Sequence, residues 1–324
     1  MQTRRTRRSV VWSAVALATV VVLTVFGIWL LRAHPLLDRP FATLHSEQDA
    51  GYIRVSAEPL DLDLRSPQAF VYDCQMDEII YQKGERRVVY PASTTKLMTL
   101  LCAQEYLSPD EVIVPGDELT LVGAGSSVAY IKEHHSLSVE MLVEGMLLPS
   151  GNDAAYVLAA AAGNRIDPSV TGRQAVAVFM DAMAEYGARI GLVGTRFTSP
   201  DGLAGKEHYS TVEDVALIAR LAMENEIIRR YAALHEDDVT YASGHTNHWV
   251  NTNELLDPDS PWYHAAVTGL KTGSLEHNYC LIATVEQAGR TYIIGLFGAW
   301  EKNDRYADAH TIIDALSVHR EVAR

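Results

Sequence analysis

Ser93 and Lys96 are the first residues in this sequence whose types and spacing could support covalent chemistry. Three positions apart, they would share one face at the start of a helix, where free backbone amides and the helix dipole surround the serine. A lysine whose pKa is lowered by burial and neighbouring cations could accept the serine proton and make the hydroxyl nucleophilic without a histidine. Taken alone, the pair is better explained as a helix cap followed by a surface lysine.

A second polar group, Ser-Gly-Asn at 150–152, follows a helical pattern at 139–148. Its glycine would permit a tight loop that directs both polar side chains toward one place. Ser150 could then relay a proton, while Asn152 could bond a substrate amide and steady Lys96. As a turn and helix cap, the same tripeptide needs no function.

A third group lies at 269–274, where an apolar strand pattern ends in Gly-Leu-Lys-Thr-Gly-Ser. Lys271 at a strand edge could hold an anionic group of a substrate. The small Thr272 and Gly273 would let an extended substrate lie against the backbone. By itself, a strand that ends in a turn explains this segment equally well.

The order of the three groups is far more specific than any one of them. Ser-x-x-Lys, a Ser-x-Asn tripeptide and Lys-Thr-Gly occur in β-lactamases and penicillin-binding proteins. From about residue 62 to 316 the sequence resembles the low-molecular-weight penicillin-binding proteins, the serine-type D-alanyl-D-alanine carboxypeptidases. The segments that carry the resemblance are PASTTKLMT (91–99), LPSGNDAA (148–155), SPDGL (199–203), HYST (208–211) and GLKTG (269–273).

This resemblance implies a reaction and a set of catalytic residues. Ser93 would attack the carbonyl between the two terminal D-alanines of a peptidoglycan pentapeptide, D-alanine would leave, and water would release the shortened peptide. Lys96 would be the base, and Ser150 and Lys271 would relay protons to the leaving group. The amides of Ser93 and Ser274 would form the oxyanion hole.

The resemblance also implies how the substrate is held. The free carboxylate of the peptide would meet Thr272, Lys271 and Arg305, although Arg305 could equally be a solvated residue at a helix start. β-Lactam antibiotics are expected to acylate Ser93 and to leave slowly, and no cofactor is expected. The expected substrate-binding residues are Asn152, Lys271, Thr272, Gly273, Ser274 and Arg305.

Strand and helix patterns indicate which elements position these residues. Strands are predicted at 69–74, 78–82, 265–272, 279–285 and 292–298, with turns at 75–77 and 287–290. Helices are predicted at 93–106, 139–148, 154–162, 173–186, 212–224 and 304–319, with a capping box at 210–213. Strands at both ends of a helical middle indicate an α/β (α+β) fold with a helical subdomain at about 107–235. The resemblance implies the β-lactamase and penicillin-binding transpeptidase fold, an antiparallel sheet flanked by helices.

The N-terminal segment predicts a membrane anchor. Residues 10–31 contain no charged side chain and would form a helix about 33 Å long, enough to cross a bilayer core. Four arginines precede them, so residues 1–9 are expected in the cytoplasm and the catalytic domain outside the cell membrane. A cleaved signal peptide is the alternative, but its small-residue pairs would lie inside the apolar run. Residues 32–66 are interpreted as a linker and 67–324 as the catalytic domain.

Composition narrows the possible partners. The chain is 48% hydrophobic and 21% charged, as expected for a folded protein, and its formal charge of −14 argues against nucleic acid as the main partner. The 12 histidines include no His-Glu-x-x-His pattern, so no catalytic metal is expected. Cys74, Cys102 and Cys280 are interpreted as small buried side chains. Because the chain ends at Arg324, the family's frequent C-terminal β-rich domain and amphipathic helix are not expected.

Two alternative functions stay open. A serine β-lactamase would share the acylation step, but 153–270 contains no Glu-x-x-Leu-Asn pattern to activate a hydrolytic water, and Ser-Gly-Asn in place of Ser-Asp-Asn favours a carboxypeptidase. A non-catalytic, membrane-tethered sensor of the wall or of antibiotics is the second alternative. Its intact nucleophile and base, and the short segment before the apolar run, count against that function.

Overall fold

The fold is built on a six-stranded sheet. The computed structural model describes residues 53–57, 59–85 and 87–322. The strands in chain order are β1 Arg54–Val55, β2 Gln68–Asp73, β3 Glu78–Lys83, β4 Val112–Ile113, β5 Leu137–Ser138, β6 Glu236–Thr240, β7 Thr246–Val250, β8 Val267–Leu275, β9 Asn278–Gln287 and β10 Arg290–Ala299. The large sheet has the order β1-β3-β2-β10-β9-β8, and its pairs are antiparallel except for β1 with β3. Strands from the beginning and from the end of the catalytic domain therefore lie in one sheet, as the strand pattern predicts.

Both faces of the sheet are buried. Successive residues of β10 alternate between the faces, so that Ile293 packs with the helices of the middle of the chain and Ile294 packs with the last helix. The helices are α1 Lys96–Ala103, α2 Val139–Leu147, α3 Asn152–Ile166, α4 Gly172–Ile190, α5 Val212–Glu224, α6 Glu226–Ala232 and α7 Asp304–Val322. Every helix predicted from the spacing of apolar residues is present, with ends that differ by a few residues.

The predicted capping box at 210–213 is wrong by one position. Thr211 caps α5, because its hydroxyl accepts a hydrogen bond from the Asp214 amide at 3.2 Å. Ser210 cannot take this place, since its backbone bonds to Val89 in an isolated β-bridge and its hydroxyl bonds to Thr195 at 2.7 Å. Both residue types are good caps, and the tertiary bridge decides between them.

The predicted boundary between linker and catalytic domain also lies too late in the chain. β1 pairs with β3, Leu64 is buried, and the amides of Arg65 and Ser66 donate to the Asp308 carboxylate at 2.9 and 2.7 Å. Residues 53–57 and 59–66 therefore pack as part of the folded domain. The prolines at 35, 40, 59 and 67 and the weak periodicity between them gave no sign of the short edge strand β1.

The anchor expected at 10–31 lies outside the described residues. In the part of the chain that is described, no helix is both long and apolar enough to cross a bilayer. Cys74, Cys102 and Cys280 are all free thiols, and the last two are buried. Among the same residues, no three side chains of the His, Cys, Asp or Glu type are grouped to hold a metal ion.

Candidate active site

Ser93 lies in a 3₁₀ turn, Ala92–Thr95, that continues directly into α1. One turn later, Lys96 extends its side chain back toward the serine, and its Nζ is 3.0 Å from Ser93 Oγ. The Nζ atom also donates to Asn152 Oδ1 at 2.7 Å and to the Asp201 carbonyl at 3.0 Å. Three acceptors thus match the three protons of an ammonium group.

The Lys96 side chain has no exposed surface. Burial lowers the pKa of Lys96 to about 8, although the negative charges of Asp201 and Asp153 oppose this shift. A fraction of the enzyme therefore holds a neutral amine at this position near neutral pH. In that state two protons can stay on Asn152 and Asp201, and the lone pair faces the Ser93 hydroxyl.

Ser150 lies in the loop between α2 and α3, and Asn152 is the first residue of α3. The Gly151 amide donates to the Gly145 carbonyl at 2.8 Å, and the Asn152 amide donates to the Ser127 carbonyl at 2.9 Å, so the loop is fixed at both sides. Ser150 has a φ of 60°, a left-handed conformation that is uncommon outside glycine and often found at functional sites. This loop brings the buried Asn152 amide group to Lys96.

The loop at 199–202 closes the site behind Lys96. Ser199 Oγ donates to Asp201 Oδ1 at 2.7 Å, and the same carboxylate oxygen accepts from the Leu203 amide at 3.0 Å, which fixes the Asp201 carbonyl toward Lys96. At Gly202, with φ of 81°, a Cβ atom would lie 1.9 Å from the Ala92 carbonyl oxygen. Only glycine permits this approach to the Ser93 turn.

His208 supports the other side of the Ser93 turn. Its Nδ1 accepts from the Thr198 amide at 3.0 Å, so Nε2 carries the proton and donates to Thr95 Oγ1 at 2.8 Å. Burial lowers the pKa of His208 to about 4, so the ring is neutral. The neutral imidazole thus joins Thr198, which precedes the 199–202 loop, to Thr95, which precedes Lys96.

Strand β8 brings the Lys-Thr-Gly segment against the Ser93 turn. A Cβ atom on Gly273 would lie 2.8 Å from the Pro91 carbonyl oxygen and 3.0 Å from the Ala92 Cβ, so the strand and the turn are in direct contact. Lys271 is buried, and its Nζ donates to the Thr272 carbonyl at 3.1 Å. Burial, together with the positive charges of Lys96 and Arg305, lowers the pKa of Lys271 well below its usual range.

Thr272 has a partner that the sequence did not indicate. Its Oγ1 lies 2.5 Å from Thr252 Oγ1, and the Thr252 amide donates to the Leu148 carbonyl at 3.1 Å. Thr252 therefore links the strand that contains Lys271 to the end of α2, just before Ser150. Its sequence, Asn-Thr-Asn at 251–253, contains no feature that distinguishes it from an ordinary loop.

Arg305 lies in the first turn of α7 and is 1% exposed. Its Nη1 donates to the carbonyls of Gly273 and Cys280, both at 2.9 Å, and approaches Ser274 Oγ at 3.3 Å. Its Nη2 donates to the Tyr306 hydroxyl at 3.0 Å. The solvated position considered for Arg305 is thus wrong, because the buried guanidinium binds backbone carbonyls of β8 and β9.

The structure joins the three motif groups at one place. Direct hydrogen bonds unite Ser93, Lys96 and Asn152, and the contact between Gly273 and Ala92 adds the Lys-Thr-Gly strand. Sequence reasoning missed the contributions of Asp201, His208 and Thr252. The first two lie in segments that resemble the family, and this resemblance was the only sign in the sequence that they contribute to the site.

Known proteins match this chain over most of its folded part. A family model for D-alanyl-D-alanine carboxypeptidase matches residues 54–300. The chain is 26% identical over 258 residues to the D-alanyl-D-alanine carboxypeptidase DacF of Bacillus subtilis (strain 168), covering 78% of this chain and 62% of DacF. It is 32% identical over 248 residues to the D-alanyl-D-alanine carboxypeptidase of Streptomyces sp. (strain K15), covering 72% of this chain and 81% of that protein.

Solved structures share the fold. The crystal structure of the Streptomyces K15 DD-transpeptidase matches with a TM-score of 0.71 at 26% identity, over 79% of this chain and 98% of that one. Penicillin-binding protein D2 from Listeria monocytogenes in its ampicillin-bound form matches with a TM-score of 0.63 at 28% identity, over 79% and 99%. The fold is therefore that of the penicillin-binding proteins.

Within that class, the chain belongs to the D-alanyl-D-alanine carboxypeptidase family. It spans less than two thirds of the length of DacF.

Proposed function

We propose that this protein is a serine D-alanyl-D-alanine carboxypeptidase that removes the terminal D-alanine from peptidoglycan stem peptides. The observation that supports this most is the fully buried Lys96, whose Nζ is 3.0 Å from Ser93 Oγ. Nucleophile and base are already within hydrogen-bond reach, which is the geometry that proton transfer requires.

Acylation begins with the neutral form of Lys96. Its amine takes the proton from Ser93 Oγ as this oxygen bonds to the carbonyl carbon of the penultimate D-alanine. The carbonyl oxygen becomes negative and is stabilised by the backbone amides of Ser93 and Ser274. The C–N bond then breaks as the proton on Lys96 passes through Ser150, with Lys271 beside it, to the departing nitrogen. Free D-alanine leaves, an ester remains on Ser93, and Lys96 is neutral again.

Deacylation reverses these roles. A water molecule gives a proton to Lys96 and attacks the ester carbonyl, and the Ser93 oxygen recovers a proton as the C–O bond breaks. The products are the shortened peptide and the original enzyme.

The substrate lies along β8, which is an edge strand of the sheet within the described residues. An extended peptide can add to such an edge by backbone hydrogen bonds. Its carboxylate lies near Lys271 and Thr272, and Asn152 bonds an amide of the peptide. Arg305 acts on this carboxylate through β8, whose Gly273 carbonyl it binds.

A transpeptidase is the second candidate, because the Streptomyces K15 protein is named both a carboxypeptidase and a DD-transpeptidase. Both reactions share the acyl-enzyme and differ in whether water or an amine attacks it. Incubation of the full chain with a D-Ala-D-Ala peptide and excess glycine separates them. Hydrolysis yields the shortened peptide, whereas transfer yields the glycine-extended peptide.

β-Lactams acylate the same serine. Penicillin-binding protein D2, a protein of the same fold, is solved with ampicillin bound, which supports this expectation. The full chain should be labelled by fluorescent penicillin, and Ser93→Ala should lose the label. Labelling without release of D-alanine from a peptide would favour the antibiotic sensor, and rapid loss of the label would favour a β-lactamase.

The chain is anchored in the membrane by its N-terminal segment, and its catalytic domain acts outside the cytoplasm. Residues 10–31, uncharged and preceded by four arginines, support an N-terminal anchor in the cell membrane. Peptidoglycan, the substrate, lies on the same side as the domain. The anchor would therefore keep the enzyme near newly made wall peptides.

A further inference from the structure

We propose that Asp153 is a positioning residue of the active site, which fixes the loop at 127–131 and places a negative charge near Lys96. Asp153 is the second residue of α3 and directly follows Asn152, whose Oδ1 accepts a hydrogen bond from Lys96 at 2.7 Å. The inference rests on the proposed function, because it assumes that Lys96 is the base that activates Ser93.

The Asp153 carboxylate is buried and holds the 127–131 loop by two backbone amides. Asp153 is 3% exposed, its Oδ1 accepts from the Ala129 amide at 2.8 Å, and its Oδ2 accepts from the Ile131 amide at 2.9 Å. Tyr130, between these two amides, has a φ of 61°, a left-handed conformation that is uncommon outside glycine. The turn at Tyr130 lets both of its neighbours donate to one carboxylate.

The hairpin of β6 and β7 holds the same loop from its other side. The Ala129 carbonyl accepts hydrogen bonds from three side chains of this hairpin, Tyr241 at 3.3 Å, Asn247 at 2.9 Å and Trp249 at 3.1 Å. Ala129 is thus bonded through both its amide and its carbonyl. At the start of the loop, the Ser127 carbonyl accepts from the Asn152 amide at 2.9 Å. The position of the loop therefore bears on the position of Asn152, and so on Lys96.

The backbone donors favour the ionised form of Asp153. Burial raises the pKa of this carboxyl, and the amides of Ala129, Ile131 and Ala154 oppose the shift, because each donates to a carboxylate oxygen. Asp153 also lies in the first turn of α3, where the helix dipole favours a negative charge. Tyr241 is the titratable side chain that faces it from the hairpin, and burial and the charge of Asp153 raise the pKa of this tyrosine.

The charge of Asp153 affects how readily Lys96 loses its proton. Burial lowers the pKa of Lys96, and the negative charges of Asp201 and Asp153 oppose this shift. Lys271 is the neighbouring cation, and burial and the charge of Lys96 lower its pKa. If the charge of Asp153 is removed while the other groups stay, the pKa of Lys96 should fall, so that the neutral amine persists to lower pH.

The test measures the rate constant of labelling by fluorescent penicillin as a function of pH in the full chain. Asp153→Asn removes the charge and keeps a side chain of similar shape. We expect the midpoint of the pH profile to move down by about half a unit to one unit. The plateau at high pH should fall about fivefold, because the Ile131 amide loses its acceptor and the loop loosens. Asp153→Ser is a second variant without the charge, and its midpoint should move in the same direction.

Two further variants separate charge from packing. Asn247→Ala removes a donor to the Ala129 carbonyl and leaves the charge in place, so it should slow labelling without moving the midpoint. Asp181→Asn is the matched control, since Asp181 is an exposed carboxylate on α4, and it should change neither quantity. A rate constant is a property of the folded fraction alone, so a partly folded preparation still yields a midpoint.

The outcomes distinguish this inference from the proposed function. An unchanged midpoint in Asp153→Asn and Asp153→Ser would overturn the inference and leave the proposed function intact. A midpoint that moves as far in Asn247→Ala as in Asp153→Asn would also overturn it, because the shift would then follow from packing rather than from charge. Absence of labelling of the unmodified chain at every pH would instead contradict the proposed function.

Discussion

At the scale of single residues, the site depends on how Lys96 is buried. Its three hydrogen bonds, to Ser93, Asn152 and the Asp201 carbonyl, hold the side chain in one orientation in both protonation states. Burial disfavours the charged form, and the nearby carboxylates limit the shift, so that the pKa falls to about 8 rather than further. The lysine is thus a base whose strength matches physiological conditions.

The rate of acylation should follow the titration of this lysine. A lysine with a pKa of about 8 is protonated below that pH and cannot accept the serine proton. The rate of penicillin labelling should therefore fall about tenfold for each unit of pH below 8 and level off above it. Stopped-flow labelling between pH 6 and 9, with circular dichroism to monitor folding, measures this. A rate independent of pH would show that Lys96 is not the base.

Replacing Lys96 should slow acylation strongly, because it removes the general base as well as a positive charge. Lys96→Ala should slow acylation by about 10²- to 10⁴-fold, the usual contribution of a general base. Lys132→Ala removes an exposed lysine elsewhere and serves as the control. Comparable labelling rates in the two variants would contradict the assignment.

At the scale of elements, the site is assembled by close approaches between backbones. Gly202 brings the 199–202 loop to the Ser93 turn, and Gly273 brings β8 to the same turn. Thr252 then bridges β8 and the end of α2 through a hydroxyl pair and a backbone bond. These contacts align three segments that are distant in sequence.

Gly202→Ala should separate two of these elements. The new Cβ would lie 1.9 Å from a backbone oxygen at a φ of 81°, so the 199–202 loop must move away from the turn. We expect a loss of about 1–3 kcal/mol in unfolding free energy, together with slower penicillin labelling. Gly205→Ala is the control, because its Cβ would have no neighbour within 4 Å. Thermal unfolding that is equal for the two variants would contradict this packing.

Thr252→Val should impair recognition of the peptide without affecting the nucleophile. Loss of the hydroxyl partner at 2.5 Å frees Thr272 to rotate away from the substrate carboxylate. At about 1 kcal/mol for a hydrogen bond, kcat/KM for a D-Ala-D-Ala peptide should drop about fivefold, mainly through KM. Thr252→Ser should restore it. A normal KM in Thr252→Val would rule out this positioning role.

At the scale of the whole molecule, the motif groups and most elements could be predicted because their signals are local. The spacing of Ser93 and Lys96 and the apolar runs of β9 and β10 are visible in the sequence. The contribution of Asp201 could not be found, since it acts through a carbonyl that every residue has. The orientation of Arg305 depends on how α7 packs on β8, and the capping residue of α5 depends on a bridge between Val89 and Ser210.

Removal of residues 1–31 should separate location from catalysis. The truncated chain lacks the uncharged run at 10–31, so it should leave the membrane fraction. It should keep its rate of penicillin labelling, because the described site contains none of the removed residues. Fractionation followed by labelling of membranes and supernatant measures both properties. Retention of the truncated chain on membranes would show that another surface provides the attachment.

The most direct test of the account is mass spectrometry of a D-Ala-D-Ala pentapeptide incubated with the full chain. The account predicts loss of a single alanine residue from the peptide with the unmodified protein and an unchanged peptide with Ser93→Ala. Hydrolysis that persists in Ser93→Ala, or a peptide left intact by the unmodified protein, would contradict the mechanism.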